Sequence, residues 1–429
     1  MTDITHLHKR HGDDLADGGG QNSTTERETI DVPSGANPTG AGISRRALLK
    51  GVGVGAMTVL VAGIGAGSYR AYANGVLDSG DGAPYDPWST WRDDAGPLGM
   101  VAAAILAANP HNSQSWIFAV TPQSVDVFAD LSRRTGALDP FGREQEIGLG
   151  CAVENLVLAA QARGYQASVA LAPQASDPAH AASIALTPAT VTTSASYDAI
   201  GSRHSNRGPY TTQAVSAGVL AALATAADGL PGVSVHWFTS ASEMATMSAL
   251  LNDAAAAVVG DQQQSQDAFA WFRNDRADID TYRDGLTLDG QGLAPLMLSL
   301  AKLAPASSRE AGDTFWVDQT LTVHTRTAAA YGVITVTDVT APEQRLTGGR
   351  VLQRIHLAAT TEGIAMQHMN QVTERIDREL SMGVPATFGP RLQSLLGSSG
   401  GEVLSTFRVG YPARDALLSP RRSVSAVTR

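Results

Sequence analysis

The sequence predicts an α+β protein built from two tandem halves, on three observations. Two helical blocks, 148–165 and 347–364, superpose without gaps at a shift of 199. Leu158-Ala159-Ala160 falls on Leu357-Ala358-Ala359, and Gly164 falls on Gly363. Each block follows a Gly-containing turn and precedes a strand-like or apolar stretch. An alanine-rich run, 102–108, leads through a polar loop into the strand candidate Trp116-Ile117-Phe118-Ala119-Val120. Apolar residues recur at helical spacing in both blocks (Leu149, Val153, Leu156, Val157 and Ala160; Val351, Ile355 and Ala358), and each ends at a glycine, which tolerates the left-handed turn that closes a helix.

Composition bounds the reading. The chain has 429 residues, suited to two or three domains, with 43% hydrophobic and 17% charged residues. Its net charge of −10 argues against nonspecific nucleic-acid binding. The single cysteine, Cys151, excludes internal disulfides and thiolate metal clusters. It sits in an apolar helical pattern, as a small buried hydrophobe would.

Residues 1–43 are rich in Gly, Asp, Ser, Thr and His without apolar period, the composition of a disordered leader. Ser44-Arg45-Arg46-Ala47-Leu48-Leu49-Lys50 then precedes an uncharged run, 51–69. This resembles a twin-arginine export signal, with Ala71-Tyr72-Ala73 as a cleavage site before Asn74, so 44–73 is the signal and the protein is expected in the cell envelope or outside the cell. The rival reading is a permanent anchor. The run is about long enough to span, but five glycines among residues 51–65 make it a weak membrane helix.

The loop Asn109-Pro110-His111-Asn112-Ser113-Gln114-Ser115 offers amide donors and acceptors between a helix that Pro110 stops and a strand, which suits a flat heterocycle with both on its edge. Read alone, it is a turn. It resembles the flavin-contacting N-S-Q-P-W loop of the nitroreductase family, keeping Asn112, Ser113, Gln114 and Trp116 and departing at Ser115. Further on, Arg203-His204-Ser205-Asn206-Arg207 has R-x-S-x-R spacing. We expect it just before a helix, where two guanidiniums, a hydroxyl and a helix start would suit a phosphate. Alone it is an exposed basic turn; it resembles the R-R-S-x-R phosphate motif that opens nitroreductase subunits. Phe407-Arg408-Val409-Gly410-Tyr411-Pro412 resembles the family's late strand, and Ser419-Pro420-Arg421-Arg422 its closing S-P-R-R, whose arginine reaches the flavin phosphate.

The resemblance implies a fold of helices around antiparallel-type sheets and an active unit of two subunits with flavin at their interface. One chain then resembles an internal homodimer, as in the fused, tandem-half nitroreductase-like proteins: half A over 84–200, half B over 201–429, with the junction in the low-charge stretch 182–196. Half A lacks the arginine motif and half B lacks the amide loop. One FMN site survives, with Arg203, Ser205, Arg207 and Arg421 from half B and Asn112 and Gln114 from half A. The insertion 261–313 is either a helical lid or a surface hairpin. The joined halves are expected to be a monomer.

No dinucleotide G-x-G-x-x-G after a strand, Walker loop, H-E-x-x-H, C-x-x-C or G-x-S-x-G elbow is present, and the histidines show no metal-ligand spacing. The resemblance implies an FMN-dependent oxidoreductase taking hydride from NAD(P)H and passing it to a nitroaromatic or quinone-like acceptor; no residue of the chain is assigned to the chemical step. The alternatives are a flavin-storage or stress protein with little turnover, and a protein without cofactor.

Overall fold

The structure is a computed structural model describing residues 70–76, 79–397 and 400–429. The chain divides into two units, Met1–Ala41 and Gly42–Arg429, and every described residue lies in the second. The expected leader, 1–43, and residues 44–69 of the expected signal fall outside the described residues. Among those described, no helix is long and apolar enough to cross a membrane.

Half A carries β1 (Trp116–Val120), β2 (Ser124–Ala129), β3 (Tyr165–Leu171) and β4 (His180–Pro188) in a sheet of order β1-β2-β4-β3. Half B carries β5 (Val233–Phe238), β6 (Ala330–Val336), β7 (Ala365–His368) and β8 (Glu402–Gly410) in the order β5-β6-β8-β7. All neighbouring strands are antiparallel, and both halves use one strand permutation. The α+β, tandem-half reading thus matches the observed architecture. The junction begins later than the composition implied, because 182–188 belongs to β4, where Ala182, Ile184 and Leu186 are buried on alternate positions.

The helices that position the site are, in chain order, α1 (Gly96–Ala104), α2 (Arg143–Ala162), α3 (Ala241–Gly260), α4 (Gln262–Ala270), α5 (Arg276–Tyr282), α6 (Pro295–Leu303), α7 (Arg309–Gln319), α8 (Pro342–Thr361) and α9 (Gln371–Met382). Helices α2 and α8 are the duplicated pair. Each has 20 residues and links the second strand of its sheet to the third. Asp139 caps α2 by accepting the backbone N–H groups of Glu144 and Gln145 at 3.1 and 2.9 Å. Pro342 opens α8, where its missing N–H costs nothing. Gly164 and Gly363, at φ +76° and +66°, follow the two helix ends.

The two helices cross at glycines. A methyl on Gly150 would land on the Leu346 carbonyl oxygen and 3.0 Å from Gly349 Cα; one on Gly349 would meet the Ile147 backbone. Polar groups tie the crossing. Arg350 and Arg354 grip Glu154 at 2.8 and 2.6 Å, and Gln353 Nε2 donates to Asn155 Oδ1 at 2.9 Å.

Half B is the heavier half. Strand β6 is buried throughout because its sheet is covered on both faces: Ile334 and Val336 join the core shared with α2 and α8, while Tyr331 and Val333 pack with Met247, Leu250 and Val372 of α3 and α9. In half A, β3 alternates half-buried and exposed. The insertion 261–313 is mainly helical, supplying α4, α5, α6 and the start of α7. The C-terminus returns to half A: Phe118 N–H donates to Val427 O at 2.7 Å and Arg429 N–H to Phe118 O at 2.9 Å, adding a parallel bridge beside β1.

Candidate functional site

A cavity of about 230 Å³ opens between the halves. Half A contributes Asn109, Pro110 and His111 from the amide loop and Ile147, Gly148 and Cys151 from α2. Half B contributes Ser205 and Arg207 beside His324, Gln367 and His368. The insertion closes one side with Phe269 and Phe272, and the rest of α7 adds Phe315 and Trp316.

The amide loop is held in an uncommon backbone state. His111, Asn112 and Gln114 sit at φ +49°, +52° and +50°, a region that costs L-residues energy and persists only where surroundings enforce it. The enforcers are visible. Asn109 Oδ1 accepts Gln114 N–H at 2.8 Å, and Asn112 O accepts Gly285 N–H at 3.0 Å.

Of the residues predicted from sequence, the structure brings Ser205 and Arg207 to the cavity wall. Arg203 and Arg421 lie deeper, both over the Trp88 ring at 5.9 and 4.7 Å. Arg203, 2% exposed, donates to Leu106 O at 2.6 Å, and Arg421 donates to the Asn112 side-chain oxygen and to Ser419 Oγ at 2.8 Å. Arg207 donates to Gly290 O at 3.1 Å. Among the described residues no carboxylate pairs with any of these three guanidiniums, and Nε of both Arg203 and Arg421 is buried without a partner.

Electrostatics follows from that crowding. Burial pulls Arg203 down to about 10, and burial with Arg203 nearby holds Arg421 well below its usual range. His111 falls to about 4, from burial and then Arg207. His204 falls to about 3, from burial and then Arg203 and Arg421, and His368 likewise to about 3. These imidazoles are neutral at physiological pH, so they add donors and acceptors without adding charge. What the cluster lacks is an anion.

Asn112 and Gln114 do not line the cavity; their side chains bind chain segments. Asn112 Nδ2 donates to Pro420 O at 2.9 Å. Gln114 Nε2 donates to Arg283 O at 2.8 Å, and its Oε1 accepts Arg422 N–H at 2.8 Å. Both clamp the tail that carries Arg421. One expectation is corrected: the arginine motif does not precede a helix. Residues 203–210 are non-helical, with bridges from Ser205 to Met366 and Tyr210 to Pro412, and the next helix starts at Ala217. Pro209 and the pairing with half B's own strands keep the segment extended, so guanidiniums rather than a helix start face the site.

Sequence reasoning missed Glu144 and Glu374, which line the cavity, and His324, carried into its wall by a π-turn at Thr320–His324. Local sequence holds no signal for them, since the fold brings them in from helix starts and a turn far apart in the chain. Among the described residues no group of His, Cys, Asp and Glu could hold a metal.

No family model matches the chain. Curated relatives do. The chain is 35% identical over 113 residues to a Mycobacterium tuberculosis H37Rv protein named "Putative NAD(P)H nitroreductase acg", spanning 26% of this chain and 34% of that one. It is 33% identical over 89 residues to "Putative NAD(P)H nitroreductase Rv3131" of the same organism, 21% of this chain and 26% of that one. The chain resembles nitroreductases. The aligned stretch spans about a third or less of those relatives. Solved structures include the FMN-dependent nitroreductase NfnB from Mycobacterium smegmatis in complex with NADPH, at 15% identity and TM-score 0.37, over 55% of this chain and 97% of that one. A nitroreductase with bound FMN from Desulfitobacterium hafniense is similar at 17% identity and TM-score 0.32, over 54% and 95%.

Proposed function

We propose that this chain is an FMN-dependent oxidoreductase that passes hydride from NAD(P)H to an electron-poor small molecule of the nitroaromatic or quinone class. The observation that carries the reading is the cluster of Arg203, Arg207 and Arg421 at the junction of the halves, with which no carboxylate pairs among the described residues. Two buried guanidiniums, Arg203 and Arg421, beside the half-buried Arg207 and without a carboxylate are costly, and a bound phosphate offsets that cost with charge-assisted bonds. The orphaned Nε atoms of Arg203 and Arg421 are the donors that fit it. The curated relatives, named as NAD(P)H nitroreductases, support the donor and reaction class.

In this reading Arg203, Ser205, Arg207 and Arg421 take the FMN phosphate. Asn112 and Gln114 fix the tail so that Arg421 stays buried beside Arg203. When bound, FMN supplies the hydride-carrying ring, and the chain supplies position and a cavity screened from water. The lid aromatics Phe269, Phe272, Phe315 and Trp316 restrict what enters.

That same wall favours a second reading, a flavin-holding protein that turns over little or not at all. The experiment is anaerobic absorption of the FMN-loaded chain with NADPH. Bleaching supports the oxidoreductase; a flavin that binds and stays oxidised supports storage. We also propose that residues 44–73 direct export, tested by Arg45→Lys with Arg46→Lys: the protein should then remain inside the cell.

A further inference from the structure

The cavity lined by Ser205 and Arg207 also holds two carboxyl groups, Glu144 at the start of α2 and Glu374 at the start of α9. Their partners differ. Asn370 Oδ1 accepts Thr406 N–H at 2.8 Å and Ser405 Oγ at 3.0 Å, which turns its Nδ2 toward Glu144 Oε2, where it donates at 2.6 Å. Glu144, 6% exposed, is thus held as an acceptor. Among the described residues no donor reaches the carboxyl of Glu374.

No cation neutralises the pair. Arg143 is committed to Asp377, with Nε 2.8 Å from Oδ2, and Arg378 to Asp261 at 2.8 Å. Arg375 is held by Gln264 at 2.7 Å and by Asp261. The nearby acids Asp139 and Asp377 add negative charge, and Asp313 of the lid is taken by Ser265 and Arg309. Elsewhere on the cavity wall lie Arg207 and the neutral imidazoles His111, His324 and His368. His324, 2% exposed, and His368 each leave Nε2 without a partner, so the cavity is built for a polar ligand.

We propose that Glu374 is the proton donor to the acceptor reduced in this cavity, one of two carboxyls, with Glu144, that the fold brings to its wall without a neutralising cation. The inference rests on the oxidoreductase reading above. A buried carboxyl and a half-buried one on the same cavity wall cannot both ionise cheaply, so the pair retains a proton. The Asn370 donor favours the ionised form of Glu144, but burial, Glu374 and Asp139 outweigh it and hold Glu144 well above the usual carboxylate range, while Glu374 has no such donor. Burial, then Asp139 and Asp377, raises Glu374 to about 8, so it is protonated at neutral pH. The step balances. A quinone gains a hydride, with its electron pair, from the reduced flavin. The Glu374 O–H bond breaks and its proton goes to the quinone oxygen. The product is the hydroquinone, and Glu374, left as carboxylate, regains a proton from water.

The test uses the full chain, wild type and Glu374→Gln. Infrared titration of the flavin-free protein should show a carboxyl that keeps its proton at neutral pH and is missing in the variant. Re-oxidation of the reduced, FMN-loaded chain by menadione should fall as pH rises through about 8. In Glu374→Gln it should be about 100-fold slower and lose that dependence, the scale of a general acid. A Glu374 already ionised at neutral pH, or menadione kinetics unaltered in the variant, overturns the proposal. Failure of NADPH to bleach wild-type flavin would sink the oxidoreductase reading itself, and with it this role, while the infrared result still reports the protonation of Glu374.

Discussion

Gly150→Ala tests the packing of the halves. At Gly150 the backbone of α2 lies against that of α8. The added methyl would fall on the Leu346 carbonyl oxygen and 3.0 Å from Gly349 Cα, both main-chain atoms that cannot rotate away. The 20-residue helices must separate, disturbing the Glu154–Arg350–Arg354 grip and the Gln353–Asn155 bond in the same crossing. Overpacking of this kind costs about 3 kcal/mol or somewhat more. Alanine recovers about 1 kcal/mol of helix propensity. The net expectation is about 2 kcal/mol of destabilisation. Gly312→Ala is the control: it makes the same change inside helix α7, where the nearest atom is Phe269 Cδ2 at 3.9 Å, and it should be neutral or slightly stabilising. Urea denaturation followed by circular dichroism measures both. If Gly150→Ala proves as stable as Gly312→Ala, the glycine crossing does not hold the halves together.

Arg203→Met should weaken FMN binding by about tenfold or more through loss of a charge-assisted bond, while leaving the flavin-free chain no less stable because an unpaired buried charge is removed; Arg391→Ala, an exposed residue paired with Asp253, should change neither. Fluorescence titration and urea midpoints decide it, and equal effects from both variants would leave only a general basic field. The part of the stability that Glu374 supplies should decline between about pH 4.5 and about 8. The folded-state value of Glu374 lies above its unfolded value, so its contribution is complete below the latter and lost as pH rises through the former. Glu374→Gln should flatten part of that decline in urea midpoints, and an unchanged slope would contradict the assignment. The chain without residues 1–73 should sediment as a monomer, because the faces of α2 and α8 already cover one another; a two-chain mass that persists on dilution would place the site between chains.

The repeat was legible because periodicity and glycine endings are local. The shift of 199 falls on helices that begin at Arg143 and Pro342. The strand at 116–120 was legible because its apolar residues follow a helix end and a polar loop. The site was legible only as a neighbourhood. Arg207 and Ser205 face the cavity, but Arg203 turns to Trp88 and to Leu106 O, 97 positions away in the chain, a partner choice set by tertiary packing. Asn112 and Gln114 have the donors and acceptors expected of them, yet the returning tail and the insertion take those groups. The tail's course back to β1 is not written in any local pattern. Glu144 and Glu374 look like ordinary first-turn acids, and only the burial of α2 against α9 makes them neighbours.

The central claim is one flavin site shared by two unequal halves. The direct measurement is the ratio of FMN released on denaturation to protein, for the FMN-saturated chain without residues 1–73. The account predicts one FMN per chain. A ratio near two would mean that each half builds its own site, and a ratio near zero would mean that the guanidiniums of Arg203, Arg207 and Arg421 serve another anion.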